Sequence, residues 1–174
     1  SEHVRPGLAP EEMEAYHTAG DEAAWRKAFD IVLSGGPDRQ AVLALALASP
    51  LMVFTGLDGV MLNAYSSESG VGKSTLGDAA LSIWGAPQGL RKSARDTANA
   101  TWRIAGITGN LPMVIDEFTN VDGKALSDFV YTMTQGREKH RLTSDARLQA
   151  GGGTRWCLAA ITTANTSVHD KLQK

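Results

Sequence analysis

Two hydrophobic patterns alternate along this chain: short continuous apolar runs, and longer stretches in which apolar residues return every three to four positions. Gly59-Val60-Met61-Leu62-Asn63-Ala64-Tyr65 is the first run and reads as a short, mostly apolar buried strand. Leu111-Pro112-Met113-Val114-Ile115-Asp116-Glu117 is a second, ending in two adjacent carboxylates. A third, Arg155-Trp156-Cys157-Leu158-Ala159-Ala160-Ile161-Thr162, runs into Thr163-Ala164-Asn165-Thr166. Between the first two, residues 75–84 have helical spacing, with Leu76, Ala80, Leu81 and Trp84 on one side. Ahead of the first strand three helices are expected, over residues 10–18, 21–33 with Asp21 as N-cap, and 38–48. Ala19-Gly20 and Ser34-Gly35-Gly36-Pro37 separate them. Trp25, Phe29 and Val32 recur at helical spacing, the mark of a packed face, so residues 1–50 read as a helical lead-in packed on the sheet of a core spanning 51–174.

Length and composition bound the answer without deciding it. The 174 residues, 43% of them hydrophobic, suffice for one soluble globular domain. Cys157 is the sole cysteine and lies in a buried-looking strand, so no disulfide framework or cysteine metal spacing is present, and a reducing cytoplasm is the expected compartment. The longest apolar stretches, 41–48 and 51–54, are broken at Ser49-Pro50 and are too short to span a bilayer; the N-terminus does not look like a signal peptide, and no membrane insertion is expected. His3, His17 and His169 have no spacing for a metal site or a triad, and Ser66 to Ser69 have no partner histidine nearby in sequence, so hydrolytic serine chemistry is not supported.

The chemistry-bearing segment follows the first strand. In Ser67-Glu68-Ser69-Gly70-Val71-Gly72-Lys73-Ser74, small residues allow a backbone to wrap its N–H groups around phosphate oxygens, Lys73 supplies a cation for the β- and γ-phosphates, and the Ser74 hydroxyl supplies a Mg²⁺ ligand, with Thr75 beside it. Ser67 stands where this pattern usually opens with glycine. Strand, loop and helix come in the order this chemistry needs, since a helix N-terminus adds partial positive charge to a phosphate site. Asp116, at the end of the second apolar run, is suited to hold Mg²⁺ beside Ser74, and Glu117 to orient and polarise an attacking water, which points to hydrolysis over phosphoryl transfer to another substrate. At the tip of the third run, Asn165 is the first choice for a polar group reaching the water or γ-phosphate and Thr163 the second. Both residue types also begin turns and cap helices.

The ordered set SESGVGKST, LSIWG, DTANATWRIAG, LPMVIDEF, TQGREKHR and TRWCLAAITTAN resembles the ATPase domain of phage and plasmid replication helicases, including primase-associated helicase-like proteins, within the AAA+ class; the likeness covers roughly residues 50 to 168. It implies an α/β P-loop NTPase of the AAA+/ASCE type, a three-layer sandwich with a central parallel sheet and ATP at the carboxyl ends of the strands. It also implies roles for Lys73, Ser74, Asp116, Glu117 and Asn165 in binding nucleotide and magnesium, activating water and sensing. Proteins of this class normally continue with another strand and often a helical lid, so the chain resembles a core cut short after the sensor strand, or a minimal version. The implied activity is a Mg-ATP-driven motor moving along single-stranded DNA as a homo-oligomer, a hexameric ring in the full-length protein. Other replication proteins are further possible partners. The alternatives are a nucleotide-dependent assembly or loading ATPase that does not translocate, and a phosphotransferase, against which Glu117 speaks.

Charge is asymmetric within a net value of −2. Up to Asp58 nine acids face four bases, and from Gly59 onward thirteen bases face ten acids, which removes the first part from consideration as a nucleic-acid surface. Bases concentrate in Arg91-Lys92-Ser93-Ala94-Arg95, expected to join the second strand to a helix beginning near Asp96. They concentrate again in Arg137-Glu138-Lys139-His140-Arg141, followed by Arg147. By resemblance to ring-forming helicases, the latter segment is a channel hairpin in which Lys139, His140 and Arg141 grip the nucleic-acid backbone. Alternatively, Arg137 or Arg141 reaches a neighbouring subunit's γ-phosphate as an arginine finger. As a third reading, the run is a solvated face, for no aromatic residue is interleaved for base stacking.

Overall fold

The computed structural model describes residues 13–138 and 154–173. Four strands, β1 (Gly59–Tyr65), β2 (Lys92–Ser93), β3 (Met113–Asp116) and β4 (Leu158–Ala164), form one all-parallel sheet in the order β1-β4-β3-β2. Around it, beyond the helical residues Met13 and Glu14, the described residues form α1 (Glu22–Leu33), α2 (Pro37–Ala48), α3 (Lys73–Leu81), the single turn α4 (Pro87–Leu90), α5 (Ala98–Thr108), α6 (Gly123–Thr134) and α7 (Val168–Leu172). Two 3₁₀ turns, Ser49–Phe54 and Phe118–Asn120, complete the set.

Period-two alternation in the strands sorts the core into two halves. Val114 and Ile161, neighbours in the β3–β4 register, face Val42, Leu43, Ala46, Ala80 and Leu81 from α2 and α3. Met113, Ile115, Leu158 and Ala160 face the opposite way, onto Trp102, Ala105, Leu126 and Met133 from α5 and α6. The sheet is therefore covered on both faces, as parallel sheets require, and β4, at its centre, is buried along its whole length. Small residues set the layer spacing on the first face: a Cβ on Gly77 of α3 would come within 2.9 Å of Val114 Cγ1.

Several elements sit differently from their expected positions. The helix expected over 75–84 begins two residues earlier and ends at Leu81. Trp84 lies beyond it, and its indole donates to the Ala46 carbonyl at 3.2 Å, tying the turn to α2. The third strand starts at Leu158 rather than Arg155, because Arg155 bridges Arg137 in antiparallel fashion and the Trp156 indole donates to the Met133 carbonyl at 2.9 Å. The basic run at 91–95 does not follow the second strand; Lys92–Ser93 is that strand, and the helix after it begins at Ala98 with Thr97 as its cap.

The lead-in forms two shells. α2 packs on α3 and on β4, whereas α1 rests on α2 and α3 and buries no residue fully. Trp25 and Phe29 stack on each other at 4.8 Å in that outer shell, with the Trp25 indole donating to Ser82 Oγ. Of the helix expected over 10–18, Met13 and Glu14 are helical and the chain turns from Ala15 onward; residues 10–12 lie outside the described set. Among the described residues, no helix is long and apolar enough to cross a membrane.

Candidate functional site

Parallel register brings the carboxyl ends of β1, β3 and β4 to one edge of the sheet. Ile115 is level with Thr162 and Ala64 with Thr163, so Asp116, one residue past Ile115, arrives beside Thr163. The chain leaving β1 at Tyr65 turns through Ser66, Ser67, Glu68 and Ser69 into Gly70, Val71 and Gly72. Gly70 (φ 76°) and Gly72 (φ 90°) both adopt the left-handed conformation that glycine tolerates best. Gly72 is also the N-cap of α3, so the helix points its free N–H groups back at this loop. Lys73 opens the helix with its ammonium folded over the loop, donating to the Ser66 carbonyl at 3.1 Å and the Glu68 carbonyl at 2.6 Å.

Asp116 is the junction of the site. Its Oδ1 accepts hydrogen bonds from Ser74 Oγ at 3.2 Å, from the Thr163 hydroxyl, and from the Glu117 backbone N–H at 3.1 Å. Thr163 Oγ1 in turn lies 3.3 Å from the same Glu117 N–H. Thr163 is 3% exposed, so its hydroxyl is a fixed element of the carboxylate's surroundings. Glu117 (φ 62°) is the one non-glycine residue with positive φ among those described, a conformation that costs energy and concentrates at functional sites. Its exposed carboxylate faces Arg95 at 3.8 Å. Asn165 lies at the rim, where its backbone N–H donates to Thr119 Oγ1 at 2.7 Å.

These groups line a cavity of about 300 Å³ that takes in Gly70, Gly72, Lys73, Ser74, Thr75, Asp116, Glu117, Thr163 and Asn165. Gly72 and Lys73 also border a second hollow, about 510 Å³, walled by Val42, Leu62, Ala64, Tyr65 and Leu76, with Asp38 and Arg39 beside them. Gly70, Gly72, Lys73, Ser74, Asp116, Glu117, Thr163 and Asn165 thus converge on one edge, with Ser67 and Glu68 exposed on the loop above it. A cavity of about 420 Å³ lies elsewhere, between α5 and α6; its charged lining groups are the acids Asp96, Asp128 and Glu138, which suits it poorly to an anion.

Three contributors were not singled out from the sequence. Arg95 reaches Glu117 and Thr119 supports Asn165, both through non-local contacts. Asp78 pairs with Arg91 beside Asp116, and its spacing of four from Ser74, one helical turn, is the signal that could have found it. Burial pushes the Asp78 carboxyl above its ordinary pKa; Arg91 opposes that shift and Asp116 adds to it. Of the basic segment, Arg137 is exposed, while Lys139, His140, Arg141 and Arg147 lie outside the described residues.

Among the described residues no three His, Cys, Asp or Glu side chains converge as a metal cluster. A cation at this edge would draw on one carboxylate, Asp116, and one hydroxyl, Ser74. That is a small, hard oxygen donor set of the kind that takes Mg²⁺ when a substrate's phosphates and water supply the remaining ligands.

A family model described as a domain of unknown function, DUF927, matches residues 6–151. No curated protein matches the chain. Among solved structures, a chain titled "SCCmec type IV Cch - active helicase" shares the fold with a TM-score of 0.66 at 21% identity, over 90% of this chain and 30% of that one. The present chain thus corresponds to less than a third of that helicase.

Proposed function

This chain belongs to the DUF927 family, and on the geometry of its sheet edge we propose that it is the ATP-hydrolysing motor domain of a phage- or plasmid-type DNA replication helicase. The observation that carries the reading is the meeting of Ser74 and Asp116, at 3.2 Å, beside a glycine loop, a helix N-terminus and Lys73. The helicase title of the fold neighbour supports it, and so does the order of motifs along this chain's own sequence.

The triphosphate lies along residues 67–72. Backbone N–H groups and the α3 N-terminus take its oxygens, and Lys73 exchanges the loop carbonyls for the β- and γ-phosphates. Ser74 and Asp116 hold Mg²⁺, which when bound neutralises phosphate charge. Thr163 fixes the rotamer of Asp116, leaving the other carboxylate oxygen outside this set of three hydrogen bonds. Glu117 orients a water toward the γ-phosphorus and accepts its proton, and Asn165, at the rim, holds that water or the γ-phosphate. The nucleoside extends into the apolar hollow walled by Leu62, Tyr65 and Leu76.

Arg137 belongs to a different end of the domain. It bridges Arg155, three residues before β4 begins, whereas the glycine loop follows the far end of β1. Seven residues of strand separate the two, roughly 20 Å, so Arg137 cannot serve the triphosphate site of its own subunit. What remains for it is contact with nucleic acid, contact with a neighbouring subunit's nucleotide, or a solvated face, and the first two suit a ring.

ATP turnover measured with and without single-stranded DNA, alongside the mass of the nucleotide-bound species, tests this. The motor reading expects DNA-stimulated turnover in a ring. Neutralising Lys139 and Arg141 should weaken DNA binding and lower its salt slope by about 0.7 per lost phosphate contact. Turnover indifferent to DNA would favour the loading ATPase, and DNA binding indifferent to both substitutions would remove the basic segment from the grip.

A further inference from the structure

The acidic centre of the site shares one guanidinium with a second acid. Arg91 Nη1 donates to both carboxylate oxygens of Asp78 at 3.1 Å and lies 4.0 Å from Asp116 Oδ2. Asp78 stands one turn beyond Ser74 on α3, so the helix that presents the Ser74 hydroxyl also presents the carboxylate that competes for Arg91. Arg91 directly precedes β2, whose Ser93 is level with Asp116. The three side chains are 35%, 34% and 20% exposed, enough burial for their charges to be felt and enough solvent to moderate them.

One cation between two carboxylates cannot satisfy both fully. Asp78 has two close contacts with it, and Asp116 is left at the edge of ion-pair range with its Oδ1 committed to Ser74, Thr163 and Glu117. Resting on the reading of Asp116 as the carboxylate that holds Mg²⁺, we propose that Asp78 and Arg91 are positioning residues that set its cation affinity, Asp78 by detaining Arg91 and Arg91 by opposing the incoming charge.

The two halves of this ion pair then act in opposite directions. Asp78→Asn releases Arg91 onto Asp116 and weakens cation binding. Arg91→Gln removes the opposing charge, leaves two carboxylates near the site and strengthens it. A pair that only fastened α3 to β2 would respond alike from either side. The test is Mn²⁺ titrated by its EPR signal into the full chain saturated with a non-hydrolysable ATP analogue, with circular dichroism to confirm folding. Expected shifts in Kd are roughly three- to tenfold upward for Asp78→Asn and downward for Arg91→Gln. The double variant returns near the parent, and Arg91→Lys, which keeps the charge, stays near it. Asp116→Asn distinguishes the metal-holding role of Asp116 from the tuning by Asp78 and Arg91. If it weakens Mn²⁺ binding while Asp78→Asn and Arg91→Gln shift together or not at all, the proposal fails and the reading of Asp116 stands. If Asp116→Asn leaves Mn²⁺ affinity unchanged, the reading of Asp116 fails and takes the proposal with it.

Discussion

Glu117→Gln should leave ATP binding with Mg²⁺ close to that of the parent while turnover falls about 10²–10⁴-fold, the usual loss when a general base is removed. Glutamine keeps the length and shape of the side chain but cannot accept the water's proton. It also keeps the backbone N–H that bonds Asp116 and Thr163, so the carboxylate cluster beneath stays in place. The ion pair with Arg95 is lost. At 83% and 65% side-chain exposure that pair adds little to stability, so the variant should fold as the parent does. Calorimetry with ATP and a phosphate-release assay check the two halves separately. Were binding and turnover to fall together, Glu117 would have to be reassigned to the metal or to folding.

Lys73→Ala attacks the site from the other side and should weaken ATP binding and abolish turnover. The ammonium is the only cation carried by residues 67–74. In the structure it is already folded over the loop, held by the Ser66 and Glu68 carbonyls, so it needs only to exchange those partners for phosphate oxygens. Removing it takes away a charge that stabilises the triphosphate and the developing transition state; loss of one such donor costs on the order of 10²–10³ in turnover. Lys73→Met keeps the apolar stem without the charge and should behave like the alanine variant, which separates electrostatics from packing. Unchanged nucleotide affinity by calorimetry would mean that the loop is not the site.

What the sequence made legible was local. The run 59–65 could be read as a strand because it is continuous, apolar and opened by glycine, and the residues meeting at the sheet edge could be listed because their spacing along the chain follows from strand–loop–helix order. The end of β4 was harder. Thr162 reads as the last residue of the run and Thr163 as the start of a turn, yet both are buried within the strand, since Asn63 satisfies one hydroxyl and Asp116 the other. Those partners come from other strands, and no local pattern announces them.

The second strand shows the same limit in another form. Lys92 and Ser93 have neither alternation nor apolar character; pairing with Ile115 and Asp116 alone makes them a strand. In α1, the Trp25, Phe29 and Val32 stripe marks a covered face but not the depth of cover, and it lies on helices in an outer shell instead of the sheet. The Arg91–Asp78 pair, joining residues thirteen apart across two elements, was beyond any window of periodicity.

A structure of the chain with Mg²⁺ and a non-hydrolysable ATP analogue decides whether residues 67–74 and Asp116 are the nucleotide site. The β- and γ-phosphates should be enclosed by residues 67–72 against the N-terminus of α3, with the Lys73 ammonium moved from its loop carbonyls onto them and the metal between Ser74 and Asp116. A nucleotide bound elsewhere, or a metal away from the Ser74–Asp116 pair, would contradict it.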